Sequence, residues 1–144
     1  MKFMEHAIEE AKKAYNENEI PVGCIITHNG MVIASEHNTT MQNSDATCHA
    51  EINAIKSASE FLGERYLTEC EMYVTLEPCP MCAGAIINSK IKRLYIGADE
   101  PKSGCFGSVA DFTKIHFNHK PEVYYGICED KCADILKDFF SKLR

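Results

Sequence analysis

The most constraining feature of the sequence is a pair of cysteines, Cys79 and Cys82, at a predicted strand-to-helix junction. Two intervening residues allow both sulfurs to reach one tetrahedral metal ion, although redox proteins use the same spacing. Pro78 and Pro80 suit the start of a helix, where a missing backbone N–H costs little. On this pair alone, a zinc site and a redox site are equally well supported.

A second segment, His49-Ala50-Glu51, changes that balance. It lies at the start of an earlier predicted helix, where a single His or Glu is more often structural than functional. Together, His-x-Glu and Pro-Cys-x-x-Cys supply three zinc ligands, His49, Cys79 and Cys82, and one acid, Glu51, that is not a ligand. Three protein ligands leave one coordination position open, which is typical of a catalytic zinc site. The fold must therefore bring the starts of two helices together.

The periodicity of the chain predicts an α/β fold with three layers, α/β/α, and a mixed sheet of about five strands. Asn29-Gly30 between two β-rich runs indicates a tight hairpin. The apolar third helix is predicted to be buried on most sides, and Leu143 to lie on the apolar stripe of the last helix. Helices are predicted at 4–15, 49–61, 81–88, 109–112 and 129–143, and strands at 21–27, 31–35, 71–76, 92–97 and 122–125.

Length and composition predict one domain spanning residues 1–144. The chain has no apolar run of the roughly 20 residues that a membrane span needs. The N-terminus lacks the features of a signal peptide, so we expect no membrane association and a cytoplasmic location. The net charge of −6 argues mildly against a nucleic-acid partner. A local basic patch can nevertheless act alone, because distant charges are screened beyond about 10 Å.

The other thiols are expected to be mostly core residues, since eight cysteines without an export signal favour thiols and metal ligands over disulfides. One alternative joins Cys128 and Cys132 to Cys79 and Cys82 in a four-thiolate structural zinc site. That arrangement leaves the His-x-Glu segment unexplained. Two further alternatives are a redox protein and a zinc-stabilised module that binds nucleic acid without catalysis.

The combined motif is typical of zinc-dependent deaminases of nucleobases. Zinc lowers the pKa of bound water to about 7, so hydroxide is available at neutral pH. Glu51 is predicted to accept the proton of that water, pass it to a ring nitrogen and then protonate the leaving amine. The predicted reaction is a hydrolysis that releases ammonia.

Over nearly its whole length the chain resembles the bacterial tRNA adenosine deaminases, which convert the wobble adenosine of an anticodon to inosine. The zinc motif alone is similar to the wider cytidine-deaminase-like superfamily, whereas blocks near both ends resemble the tRNA branch. The segments that carry the resemblance are Glu19-Ile20-Pro21-Val22-Gly23, Asn38, His49-Ala50-Glu51-Ile52, Tyr73 to Cys79, Met81 to Ala85, Gly97-Ala98, Lys102, Gly104, Gly107-Ser108, Asn118-His119 and Asp138-Phe139-Phe140.

This resemblance implies a cytidine-deaminase-like fold, one zinc ion per chain, a homodimer and a tRNA anticodon stem-loop as partner. It also implies that Asn38 lines the base pocket with Pro21, Val22 and Leu76, and that Glu100 faces the nucleotide sugar. Taken without the family, Asn38 is an ordinary turn residue and Glu100 a solvated charge. A deaminase of free nucleobases or nucleosides, of the guanine or cytosine type, is the main alternative, because it would share every catalytic residue.

Overall fold

The structure is a computed structural model that describes residues 2–143. A five-stranded mixed sheet lies between two layers of helices, which confirms the predicted α/β/α architecture. The helices are α1 (Lys2–Asn16), α2 (Ala50–Leu62), α3 (Pro80–Asn88) and α4 (Glu129–Lys142). The strands are β1 (Gly23–His28), β2 (Met31–His37), β3 (Cys70–Leu76), β4 (Arg93–Ala98) and β5 (Glu122–Tyr124).

The strand order in the sheet is β2-β1-β3-β4-β5. β1 runs antiparallel to β2 and β3, and the predicted hairpin joins β1 to β2. Asn29 and Gly30 both have positive φ, 53° and 76°, as a two-residue hairpin turn requires. β3, β4 and β5 are parallel, so the segments that follow β3 and β4 leave the sheet at the same edge.

Helices α2 and α3 pack together on one face of the sheet, and α1 and α4 pack together on the other. The buried face of α2 consists of small residues, Ala50, Ala54 and Ala58, which let the helix lie close to the strands. The opposite core layer brings the buried residues of α1 against Tyr73 and Cys132. Each helical layer therefore holds its own hydrophobic core against the sheet.

Three local expectations differ from the structure. The short helix predicted at 109–112 is a single 3-10 turn at Phe112–Lys114. Leu143 follows the end of α4 and is 68% exposed, so its place on the apolar stripe was wrong. α3 buries Cys82 and its neighbours on one side only, while Met81 and Ala85 are half-buried. None of the helices within residues 2–143 is long and apolar enough to cross a bilayer.

Candidate metal and active site

The starts of α2 and α3 meet at one point, as the two sequence segments require. His49 immediately precedes α2 and Cys79 immediately precedes α3, and both have extended backbones. Cys82 lies in the first turn of α3. The Nδ1 atom of His49 lies 3.6 Å from the Sγ atom of Cys79 and 3.5 Å from that of Cys82.

These separations fit a tetrahedral zinc ion. With typical Zn–S and Zn–N bonds, tetrahedral geometry places a ligand nitrogen about 3.5 Å from a ligand sulfur. The three ligand atoms all lie within 4.8 Å of one another, and within residues 2–143 no other cluster of His, Cys, Asp or Glu meets that condition. Cys132 belongs to the core layer under α1 and α4, so the four-thiolate alternative is wrong.

The electrostatics of the three side chains also favour a cation. A hydrogen bond from Cys82 and a second from His49 lower the pKa of Cys79 to about 4. The hydrogen bond with the thiol of Cys79, together with burial, raises the pKa of Cys82 well above its usual value. Contact with Cys79 raises the pKa of His49. The side chains thus share protons that a metal ion would displace on binding.

Glu51 lies in the first turn of α2, beside the ligand cluster but outside it. It is buried, and burial raises the pKa of its carboxyl group to about 7. A buried carboxylate is costly without a compensating charge, which again favours a cation at the neighbouring cluster.

The ligand cluster lies at a cavity of about 240 Å³ that is lined by the segment before β1, the loops after β2 and β4, the start of α2, the end of β3 and α4. Four of the five predicted substrate residues line it, Val22, Asn38, Leu76 and Glu100, whereas Pro21 is buried without lining it. Its lining residues are Ile20, Val22, Asn38, Thr40, His49, Ala50, Glu51, Leu76, Glu77, Cys79, Glu100, Ser103, Leu136 and Phe140.

Asn38 has an unsatisfied atom at this cavity. The residue is 5% exposed, and its Nδ2 atom donates a long hydrogen bond of 3.4 Å to the carbonyl of Ile20. Its Oδ1 atom is buried and has no hydrogen-bond partner among the described residues. Unpaired buried polar atoms are uncommon because they cost free energy, and functional sites are among the places where they occur.

Sequence reasoning did not identify two buried acids near the cavity, Glu77, which lines it, and Glu19, which precedes the lining residue Ile20. Glu19 accepts hydrogen bonds from the backbone N–H groups of Met41 and Gln42, at 3.1 and 2.7 Å. Glu77 accepts its hydrogen bonds from the loop after β4. The sequence did contain a signal for both acids, because Glu19 precedes the apolar run Ile20 to Val22 and Glu77 follows the run Met72 to Leu76. An acid beside such a run is expected to be buried and therefore to need hydrogen-bond donors.

Comparison with known proteins identifies the family. A sequence model of the MafB19-like deaminases matches residues 1–144. The chain belongs to the MafB19-like deaminase family. The His49, Cys79 and Cys82 cluster is therefore a metal site of the type expected in a deaminase.

Individual relatives are similar over almost the full length of this deaminase. A tRNA-specific adenosine deaminase of Agrobacterium fabrum is 45% identical over 143 residues, which cover 99% of this chain and 94% of the relative. The tRNA-specific adenosine deaminase of Bacillus subtilis is 41% identical over 143 residues, which cover 99% of this chain and 89% of the relative. A structure solved in a study of A-to-I editing by tRNA:A34 deaminases is 44% identical, with a TM-score of 0.92 over 94% of this chain and 99% of that one.

Proposed function

We propose that this deaminase hydrolyses the wobble adenosine of a tRNA anticodon stem-loop to inosine and releases ammonia. The observation that carries the proposal is the cluster of His49, Cys79 and Cys82 beside the buried acid Glu51, at one end of a cavity that His49, Glu51 and Cys79 line. The substrate follows from the relatives, since a tRNA-specific adenosine deaminase is 45% identical over 99% of this chain.

We assign the metal as zinc, one ion per chain, held by His49, Cys79 and Cys82. Bound zinc would supply Lewis acidity that lowers the pKa of water to about 7. Glu51 would accept the proton from the attacking water and deliver it to a ring nitrogen of the base. The same carboxylate would then take the proton of the hydroxyl group newly added to the ring carbon and pass it to the departing amine, so that ammonia leaves as the carbonyl forms. Its place in the first turn of α2, two residues after a ligand, keeps it beside the metal but free to move protons.

The cavity would hold the extruded adenine. Val22 and Leu76 supply apolar walls, and Asn38, which also lines the cavity, supplies a side-chain amide for the base edge or ribose. Glu100 lies at the rim, where a ribose would follow the base. Phe140 also lines the cavity and is 43% exposed, so its ring is available to stack on a neighbouring base.

We further propose that residues 1–144 form one domain, that two chains associate as a homodimer, and that the enzyme acts on tRNA in the cytoplasm. The family match over the whole chain supports the single domain. Large exposed apolar side chains, including Phe61 at 69% and Val109 at 59%, support self-association. Light scattering of the purified protein tests the dimer, which predicts twice the 16.2 kDa chain mass.

The decisive experiment compares an anticodon stem-loop carrying a wobble adenosine with free adenosine, cytidine, cytosine and guanine. We expect inosine in the stem-loop, detected by sequencing or nucleoside analysis, and little turnover of the free compounds. Turnover of guanine or cytosine without turnover of the stem-loop would favour a free-nucleobase deaminase instead. Equimolar zinc that resists mild oxidation would argue against a redox protein.

A further inference from the structure

Glu77 is a buried acid that lies between the metal ligands and the wall of the cavity. It directly follows β3, precedes the ligand Cys79 by two residues, and is 4% exposed. It lines the cavity together with Glu100 and Ser103. The reaction proposed above gives Glu77 no part in binding the metal or in moving protons.

All four hydrogen bonds that the carboxylate of Glu77 accepts come from one loop, residues 99–108. The backbone N–H groups of Glu100, Phe106 and Ser108 donate to its carboxylate at 3.0, 2.9 and 3.1 Å, and the Ser108 hydroxyl donates as well. Every partner is a donor, so only an ionised carboxylate, which solely accepts, satisfies all of them. Although burial acts to raise the pKa of Glu77, these four hydrogen bonds hold it below its usual value.

The loop is shaped around this carboxylate. A Cβ atom at Gly104 would overlap the carboxyl group of Glu77, so the absence of a side chain there admits the acid. The backbone N–H of Cys105 donates to the carbonyl of Pro78 at 2.9 Å, a second tie between the same two segments. The loop therefore closes on the turn that carries the first thiolate ligand.

We propose that Glu77 is a positioning residue that fixes residues 99–108 as one wall of the substrate cavity and thereby sets the affinity for the nucleic-acid substrate. Glu100 and Ser103 lie on this loop and line the cavity. Misplacing a substrate-binding wall by about 1 Å can cost roughly 10²-fold in efficiency. The identity of the substrate rests on the function proposed above, whereas the ordering of the loop does not.

The test is Glu77→Gln, which keeps the size of the side chain but turns an amide N–H₂ toward donors. We expect the KM for the anticodon stem-loop to rise by about tenfold or more, with a smaller fall in kcat and one zinc per chain retained. The matched control is Glu10→Gln, which also alters a buried, hydrogen-bonded acid, but on α1 and outside the cavity lining. It should lower stability and leave KM unchanged.

A second pair of variants distinguishes a role of Glu77 in positioning the loop from a general loss of stability. Gly104→Ala should reproduce the rise in KM, because its methyl group displaces the carboxylate. Combined with Glu77→Ala, which removes the obstructing group, Gly104→Ala should add little further effect. Fully additive effects of the two changes would overturn the proposal.

Hydrogen exchange gives a measurement that does not depend on turnover. The amides of Glu100, Phe106 and Ser108 should be protected in the wild type and should exchange faster in Glu77→Gln. Unchanged exchange and unchanged KM would refute the role of Glu77, and loss of zinc would assign it to the metal site instead. If the wild type fails to convert the stem-loop, the proposed function fails, and the exchange rates alone decide whether Glu77 orders the loop.

Discussion

In the proposed reaction, Glu51 has a different task from the three residues beside it, because it would move protons rather than hold a metal. Replacing Glu51 with Gln keeps the shape of the side chain and removes the group that accepts and returns the proton. We expect kcat to fall by at least about 10²-fold, the usual contribution of general acid–base catalysis. Zinc content should stay at one ion per chain. Turnover within a few-fold of wild type would show that Glu51 is not the proton carrier.

We expect the side chain of Asn38 to favour substrate binding at the expense of the stability of the fold. Its Oδ1 atom is buried and unpaired, and such an atom costs about 1–3 kcal/mol. Asn38→Leu removes the unpaired oxygen at similar volume and gives up only the long bond to Ile20. We expect unchanged or higher stability in urea unfolding, with a KM for the stem-loop raised by about tenfold. A clear loss of stability with unchanged KM would make Asn38 a structural residue.

The metal-site residues were predictable from sequence, whereas the buried acids Glu19 and Glu77 were not. His49, Cys79 and Cys82 carry ligand atoms in their own side chains, so spacing alone is informative. Three of the four donors to the Glu77 carboxylate are backbone N–H groups that lie 23 to 31 residues further along the chain, and the fourth is the hydroxyl of Ser108. Every residue type except proline carries a backbone donor, so the residue types of the loop do not indicate these three contacts.

The packing of α1 on β1 depends on one glycine. A Cβ atom at Gly23 would overlap the carbonyl oxygen of Ala7 and lie 2.7 Å from the nitrogen of Ala11, both in the backbone of α1. Backbone cannot rotate away as a side chain does, so the helix must shift. We expect Gly23→Ala to lower the free energy of unfolding by about 1–3 kcal/mol or more in urea titrations.

Gly84 in α3 provides the matched control for this prediction. Nothing lies within 4 Å of a Cβ atom built at Gly84, and its backbone is helical. Gly84→Ala should therefore raise stability by about 0.5–1 kcal/mol, because alanine loses less backbone entropy in a helix. Equal effects of the two substitutions would show that close packing of α1 does not determine the cost at Gly23.

The helices and strands followed the sequence where apolar periodicity and turn chemistry agreed. The hairpin at Asn29-Gly30 and the start of α3 at Pro80 are examples. The segment around residue 110 was less predictable, because its 3-10 turn is begun by Asp111, whose side chain accepts from the N–H of Thr113. The prediction for Leu143 at the end of α4 was wrong for a different reason. Leu143 fits the helical period of the apolar residues but lies beyond the last helical residue.

The whole fold gathers the functional parts at one edge of the sheet. The amino ends of α2 and α3 bring the ligands there, and two loops frame the cavity beside them. Each loop is held by a buried acid from the segment next to it, Glu19 for the loop after β2 and Glu77 for the loop after β4. The same edge thus combines a metal site at two helix starts with walls whose shape depends on backbone hydrogen bonds.

A cluster of charges away from this edge predicts how stability depends on pH. His37 at the end of β2 contacts Glu10 of α1 at 2.8 Å and Glu17 at 2.9 Å. Burial acts to lower the pKa of His37, but the two carboxylates raise it above its ordinary value of 6.5. Burial acts to raise the pKa of Glu10, but bonds from His37, Lys13 and Ser35 hold it below 4.5.

The directions of the two pKa shifts define a pH range in which the cluster of His37, Glu10 and Glu17 stabilises the fold. The contribution of His37 is complete below pH 6.5 and is lost as pH rises through its raised pKa. The contribution of Glu10 is complete above pH 4.5 and is lost as pH falls through its lowered pKa. We expect the wild type to exceed His37→Gln in unfolding free energy by about 1–2 kcal/mol between these values, and by less on either side.

Urea unfolding of both proteins from pH 4 to pH 9 measures this difference directly. Because the metal site is the same in both, its own pH dependence cancels when one curve is subtracted from the other. Glu9→Gln is the control, since it breaks an exposed ion pair with Lys12 on the same helix and should shift stability by a small, nearly constant amount. A difference between wild type and His37→Gln that stays flat across the range would mean that the His37 cluster is not charged in the folded protein.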